Sequence, residues 1–354
     1  MNKNSKIYVA GHSGLVGSAL LRNLQSKNYD NIVCRSSKEL DLCNQTSVEN
    51  FFEEEKPEYV FLAAAKVGGI LANSSYPAQF IYDNLMIASN VIHSAYKHSV
   101  KKLLNLGSSC IYPKNCPQPM KEEYLLTSAL EPTNEAYAVA KIAAIKLCRY
   151  YNSQYGTNFL SVMPTNLYGE NDNFNLETAH VLPMLVRKFH LAKLLHENDF
   201  EGLRKDLEKF PLGYGYDTKK NDKDSLVEIL GRLGINGDYV SVWGTGKPYR
   251  EFLNSDDLAD ACVFLMENRN YKEIGEFVNI GSGCDKTIAE YAAIIKNVVS
   301  FKGEIRHDLS KPDGTPRKLL DVSRLAELGW KSHMNIEASL KKYYQNYADS
   351  VNSR

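Results

Sequence analysis

A tyrosine and a lysine four residues apart, Tyr137 and Lys141, sit in the run Glu135-Ala136-Tyr137-Ala138-Val139-Ala140-Lys141-Ile142-Ala143-Ala144. The run is rich in helix formers, and the i,i+4 spacing puts both side chains on one helical face. A phenol with a reference pKa of about 10 has its phenolate favoured by a neighbouring ammonium, and a downward shift of ~3 units represents about 4 kcal/mol. Such a tyrosine trades a proton with a ketone oxygen near neutral pH. Ser108, in Leu106-Gly107-Ser108-Ser109-Cys110, adds a hydroxyl that can hold the same oxygen, since it donates and accepts. A Tyr-x-x-x-Lys match is common by chance, so its meaning depends on the elements around it.

Those elements are legible. Leu103-Leu104-Asn105-Leu106 is short and apolar enough for a buried strand, which puts the serines at its carboxyl end, where ligands of open α/β sheets gather. At the amino terminus, Lys6-Ile7-Tyr8-Val9-Ala10 reads as a strand and runs into Gly11-His12-Ser13-Gly14-Leu15-Val16-Gly17 and then a helical stretch. Strand, glycine turn and helix form the dinucleotide-binding context, with unpaired helix N–H groups facing the pyrophosphate. The spacing is G-x-x-G-x-x-G. A second strand, Asn31 to Cys34, ends in Arg35-Ser36-Ser37-Lys38, where an NAD-binding chain often carries an acid for the ribose 2′-hydroxyl. Two cations and two hydroxyls suit a 2′-phosphate instead, so NADPH is expected over NADH, with Asp41 at the adenine edge. The small residues Ala63-Ala64-Ala65, after the strand Tyr59 to Leu62, would let a cofactor lie close.

The chain has 354 residues, with 42 Lys plus Arg against 42 Asp plus Glu. Zero net charge gives no global pull toward nucleic acid or membrane. The first residues lack a signal-peptide core, and no stretch reaches transmembrane length. The seven dispersed cysteines show no zinc-like spacing and no metal site is expected; a reducing cytoplasm is the expected compartment.

The β/α alternation through Phe159 to Met163 predicts a doubly wound parallel sheet, with a smaller carboxyl-terminal substrate lobe. The expected division is residues 1–173 with 252–282 for the cofactor domain, and 174–251 with 283–354 for the lobe. Within the lobe, 191–238 reads as an insertion with a charged helix over 191–210 and a second helix over 224–233, forming a flap beside the substrate or, as an alternative, a surface excursion or an oligomer contact.

Gly11/Gly14/Gly17, Ser108 and Tyr137/Lys141 together resemble the extended short-chain dehydrogenase/reductases. Gly-His-x-Gly-x-Val-Gly-Ser-Ala, Ala63 to Gly69, Gly107 to Lys114, Glu131 to Glu135, Met163 to Gly169 and Lys311 to Lys318 narrow the likeness to the GDP-L-fucose synthase family, whose members epimerise a GDP-4-keto-6-deoxymannose at C3 and C5 and reduce it at C4. The resemblance implies that Tyr137 donates the proton, Lys141 holds the ribose and tunes Tyr137, Ser108 holds the C4 oxygen, and Cys110 and His180 serve epimerisation. It implies cofactor contacts from Gly11, Ser13, Gly14, Leu15, Val16, Gly17, Arg35, Ser36, Ser37, Lys38, Asp41, Leu42, Ala64, Ala65, Leu106, Gly107, Pro164, Asn166, Leu167 and His180, besides Tyr137 and Lys141. Lys66, Ser108, Ser109, Cys110, Asn166, Val181, Lys188, Trp243, Arg250, Asp313 and Lys318 fall where the family contacts the GDP-sugar. NADP(H) as cofactor and a homodimer are further implications. Ser13 and Ser37 stand where relatives can carry arginines, Lys188 replaces a common arginine, and the insertion is extra. Ser109 and Cys110 replace the acidic pair of the related dehydratases, which argues against dehydration. The alternative is a C4 reductase alone, acting on a GDP-4-keto heptose or related GDP-sugar.

Overall fold

The computed structural model describes residues 1–218 and 222–352. Its strands, in chain order, are β1 (Ile7–Ala10), β2 (Ile32–Val33), β3 (Tyr59–Leu62), β4 (Lys102–Leu106), β5 (Phe159–Pro164), β6 (Asn166–Tyr168), β7 (Tyr239–Trp243), β8 (Tyr249–Asn254), β9 (Val278–Ile280), β10 (Asp285–Thr287), β11 (Glu304–Asp308) and β12 (Arg317–Lys318). The chain divides into two compact units. Unit 1 comprises Met1–Asn171, Glu251–Cys284 and Leu319–His333, and unit 2 comprises Asp172–Arg250, Asp285–Lys318 and Met334–Arg354.

Unit 1 is built on a parallel sheet in the order β2-β1-β3-β4-β5-β9. Strand alternation sorts the core to two faces. Ile7, Val9, Phe61 and Leu104 pack with Leu20, Leu24, Leu258 and Val263 of the helices Leu15–Ser26 and Ser255–Asn268. Tyr8, Val60, Leu62 and Leu103 pack with Val48, Phe52, Val91, Ile92 and Ala144 of the helices Gln45–Glu55, Pro77–Lys97 and Glu135–Tyr155. Helices on both faces of a parallel sheet make the predicted doubly wound α/β fold. From β1 the order runs one way to β2 and the other way to β3, so the carboxyl ends of β1 and β3 flank the topological switch point, where such sheets bind ligands.

The segment expected to lie wholly in the lobe, 283–354, is divided, since Leu319–His333 belongs to unit 1. Leu320 pairs with Met120, and Leu325 and Trp330 are buried in the Leu258 cluster, with the Trp330 indole N–H donating to Asp260 at 2.9 Å. In unit 2 the expected insertion boundary at Leu191 falls inside a continuous helix, Val181–His196, whose Leu191, Ala192 and Leu194 are buried. The charged helix expected over 191–210 is two helices. Asn198 has φ +56°, and Asp199 caps a new helix, Phe200–Lys209, by accepting the Gly202 N–H at 2.9 Å. The second helix is Lys223–Arg232.

These helices are part of the unit 2 core. Leu203, Leu207, Leu212, Leu226 and Leu230 are buried, and so is the ion pair Arg187–Asp206, at 2.9 Å. Arg187 also donates to the carbonyls of Phe174, Phe210 and Pro211, and the Tyr347 hydroxyl donates to Asp206. Among the described residues no helix is long and apolar enough to cross a membrane.

Candidate active site

The carboxyl end of β4 breaks into a short 3-10 turn, Ser109–Ile111, capped by Ser108, whose Oγ accepts the Cys110 N–H at 3.4 Å. A Cβ at Gly107 would meet the end of the Met163 side chain on β5, which would have to move. The helix Glu135–Tyr155 brings Tyr137 to this turn, where the Ser108 side chain favours the phenolate. Lys141 is buried, with Nζ donating to the Leu106 carbonyl at 2.8 Å and lying 5.7 Å from the Tyr137 ring centroid. Burial lowers the Lys141 pKa to about 8, with Cys110 opposing.

The tyrosine departs from expectation. Burial, reinforced by Cys110, pushes its pKa well above the usual phenol value, and only in part does the Ser108 hydrogen bond oppose this. Lys141 is engaged by the Leu106 carbonyl, and burial outweighs the stabilisation of the phenolate that the i,i+4 spacing alone suggested.

At the carboxyl end of β1, Gly11 adopts φ +82°, and a Cβ there would sit 2.7 Å from the Ala64 backbone nitrogen after β3. A Cβ on Gly17 would overlap the Gly11 carbonyl. The helix Leu15–Ser26 starts at Gly14 with no side-chain cap, so its first N–H groups point outward, and Ser13 and Gly14 are exposed. Close backbone approach plus an uncapped helix start suits a pyrophosphate. A dinucleotide therefore fits the residues present, which include Leu15, Val16, Ala64, Ala65, Leu106 and Gly107 around the switch point.

The loop after β2 is more committed than its sequence suggests. Arg35 pairs with Glu55 at 2.5 Å and donates to the Cys34 carbonyl at 2.9 Å. Ser36 donates both its N–H and its hydroxyl to Glu39, each at 2.7 Å. Ser37 and Lys38 are exposed, Asp41 accepts the Cys43 N–H at 2.9 Å, and the Leu42 carbonyl accepts from Asn90. Glu39, which follows the acid-free stretch Arg35 to Lys38, thus folds back onto Ser36. Lys66 is paired with Asp83 at 2.7 Å. Thr165 and Asn166, after Pro164, both donate to the Glu251 carbonyl.

The remaining candidates lie in unit 2. His180 is solvent-accessible at the amino-terminal cap of the helix Val181–His196, and the protein around it lowers its pKa. Lys188, on the same helix, is buried, donates to the Ser241 carbonyl at 3.1 Å, and is lowered to about 8 by burial, with Asp308 opposing. Trp243, at the end of β7, is exposed, with Lys311 Nζ 5.6 Å from its ring centroid. Arg250 pairs in register with Lys318 across β8 and β12 and donates to the Thr315 carbonyl at 2.6 Å. Asp313 accepts the Thr245 N–H and hydroxyl at 2.8 and 2.7 Å.

Residues 7–207 and 209–281 match the family described as NAD dependent epimerase/dehydratase. Among curated relatives, GDP-L-fucose synthase 1 of Arabidopsis thaliana is 52% identical over 354 residues, covering 100% of this chain and 96% of the relative. The chain belongs to the GDP-L-fucose synthase branch of that family. Solved structures to which this chain is similar include a GDP-6-OMe-4-keto-L-xylo-heptose reductase from C. jejuni, 44% identical with a TM-score of 0.90 and 99% of both chains covered. Another is a GDP-mannoheptose C4 reductase from Campylobacter jejuni with NADP bound, 42% identical with a TM-score of 0.85, covering 98% of this chain and 99% of that one.

Within this branch of the family, two features of this chain escaped the sequence reading. Glu39 carried a signal, since Ser-x-x-Glu is a spacing at which a carboxylate reaches back to the serine N–H. Glu251 carried none, because its carboxylate partners Gly283 and Leu320 lie 32 and 69 residues further along the chain.

Proposed function

We propose that this chain is an NADPH-dependent oxidoreductase of GDP-sugar metabolism that epimerises a GDP-4-keto-6-deoxymannose-type sugar at C3 and C5 and reduces its C4 ketone. The observation that carries the reading is the group at the end of β4: the Ser108–Cys110 turn facing Tyr137, and Lys141 bonded to the Leu106 carbonyl with its Nζ 5.7 Å from the Tyr137 ring centroid. NADPH, when bound, supplies the hydride. Tyr137 gives its proton to the C4 oxygen while Ser108 holds that oxygen. Lys141 orients the ribose and offsets the phenolate charge that the transfer leaves. Cys110 takes a proton acidified by the C4 ketone, and His180 returns one.

In the same reading Lys188, Arg250 and Lys318 hold the diphosphate, Trp243 and Asp313 the nucleoside end, and Lys66, Ser109, Val181 and Asn166 the sugar. Arg35, Ser36, Ser37 and Lys38 take the 2′-phosphate, with Asp41, Leu42 and Leu167 lining the remainder of the cofactor. The enzyme works in the cytoplasm as a homodimer. Seven thiols without a disulfide support a reducing compartment, and Tyr82, Val139 and Tyr150, exposed on the helices Pro77–Lys97 and Glu135–Tyr155, support a self-contact.

The likeness to the two C. jejuni heptose reductases favours one second reading, C4 reduction of a GDP-4-keto heptose without epimerisation. Purified enzyme with NADPH in D₂O, given each keto sugar, separates the two by NMR. The first reading expects solvent deuterium at C3 and C5, blocked by Cys110→Ser while reduction of a pre-epimerised ketone continues. Reduction at C4 with no deuterium incorporated establishes the second.

A further inference from the structure

Glu251 is fully buried in unit 1, yet its side chain carries a carboxylate. The Gly283 N–H donates to Oε1 at 2.7 Å, Ser282 Oγ lies 3.3 Å from the same oxygen, and the Leu320 N–H donates to Oε2 at 3.0 Å. Its carbonyl accepts from Thr165 Oγ1 at 3.3 Å and Asn166 Nδ2 at 3.1 Å. One residue therefore ties the segment after β5, the turn after β9, and the chain just past β12.

Strand register makes these segments pertinent. Arg250 pairs with Lys318 and Phe252 with Asn166, so Glu251 lies on β8 between the two ladders. Alternation along the strand turns the Glu251 side chain away from the face Arg250 presents. Leu320 follows Lys318 by two residues. The carboxylate thus accepts from the backbone two residues past Lys318, and the residue that carries it directly follows Arg250 along β8.

We propose that Glu251 is a positioning residue for GDP-sugar binding, its carboxylate setting the backbone from which Arg250 and Lys318 project. The inference rests on the reading of that pair as diphosphate contacts. A buried carboxylate accepts at both oxygens, whereas a glutamine amide presents two N–H groups at one end, so Glu251→Gln sets a donor against the Leu320 or Gly283 N–H. A buried backbone donor left without an acceptor costs far more than a hydrogen bond contributes when made. The carbonyl clamp on Thr165 and Asn166 survives this substitution, and with it the cofactor side. Gly281 offers a second, independent route: a Cβ there would overlap the Glu251 carboxylate, so Gly281→Ala displaces the side chain while keeping its charge.

The test is steady-state kinetics with GDP-4-keto-6-deoxymannose, together with NADPH titration, on Glu251→Gln, Gly281→Ala and Arg250→Ala, well below each melting temperature. Glu251→Gln and Gly281→Ala are each expected to raise the sugar KM by about tenfold, with kcat and NADPH affinity within about twofold of wild type. A purely structural role would lower the active fraction, and so kcat, at unchanged KM. That outcome, or a KM within about twofold of wild type in both variants, overturns the proposal. If Glu251→Gln fails to fold, Gly281→Ala decides. Arg250→Ala reports on the underlying reading separately: an unchanged KM there beside a raised KM in the other two removes Arg250 as a contact and keeps Glu251 as the positioning residue through Lys318.

Discussion

Replacing Asp206 by alanine tests whether the expected insertion is welded to the helix that carries His180 and Lys188. Both Arg187 and Asp206 are wholly buried, and Asp206 Oδ1 accepts from Arg187 Nε at 3.0 Å and Nη2 at 2.9 Å, while Oδ2 accepts from Tyr347. Arg187 Nη1 is satisfied by the Phe174 and Pro211 carbonyls at 2.9 and 3.1 Å, so the guanidinium stays in place without its counter-charge. Removing one partner of a buried pair leaves the other charge uncompensated and costs ~3–5 kcal/mol, against a total domain stability of about 5–15. At about 2–4 °C per kcal/mol for a unit of this size, melting of unit 2 is expected to fall by ~6–20 °C. Differential scanning calorimetry reads this directly. Arg187→Met combined with Asp206→Leu is expected to recover most of the loss, because the damage comes from the orphaned charge and not from missing attraction. A single-variant loss under about 1 kcal/mol, or a double variant no better than the single, refutes the argument.

Three further outcomes follow from the site. Tyr137→Phe is expected to lower kcat for ketone reduction by ~10² to 10⁴ with NADPH affinity kept, and a variant within about tenfold of wild type removes the tyrosine from the proton-donor role. Lys188, at about 8, loses its ammonium as pH rises through that value, so the KM for the GDP-sugar is expected to climb above pH 8 in wild type. Lys188→Arg, charged throughout, is expected to give a flat profile, and matching profiles would sink the assignment. Arg35→Asp is expected to move cofactor preference toward NADH; comparable kcat/KM for the two cofactors in wild type contradicts the 2′-phosphate reading.

What the sequence made legible was local. Val9 and Tyr8 fall on opposite faces of β1, and the Gly11 turn follows at once, so strand, turn and helix could be read in the single stretch from Lys6 to Leu24. The Tyr137/Lys141 helix likewise needed only its own composition. What was hidden depends on long-range pairing. The pairing of Arg35 with Glu55, twenty residues on, could not be read from the loop itself. The return of Leu319–His333 to unit 1 turns on Trp330 and Leu325 finding the Leu258 cluster, which no window of sequence around them contains. The break at Asn198 was missed because the surrounding charges read as one solvated face, whereas Asp199 competes for the Gly202 N–H and starts a new helix.

The protonation state of Tyr137 bears on the direction of the proposed chemistry. A group that reduces a ketone must begin as the acid, so a tyrosine already ionised at neutral pH would serve oxidation better than reduction. Burial and Cys110 hold Tyr137 as the phenol, and Lys141 is engaged by the Leu106 carbonyl. The proton is therefore in place before the ketone arrives. Once it is given up, the phenolate is left in surroundings that disfavour it, with Ser108 opposing that cost through a hydrogen bond. The same surroundings that make the phenol a reluctant acid at rest drive the phenolate to recover a proton after each turnover. The i,i+4 spacing placed Tyr137 and Lys141 on one helix, but the burial that holds the proton on Tyr137, and the added influence of Cys110 and Ser108 from a different element, arise only when the folded chain brings that turn against the helix.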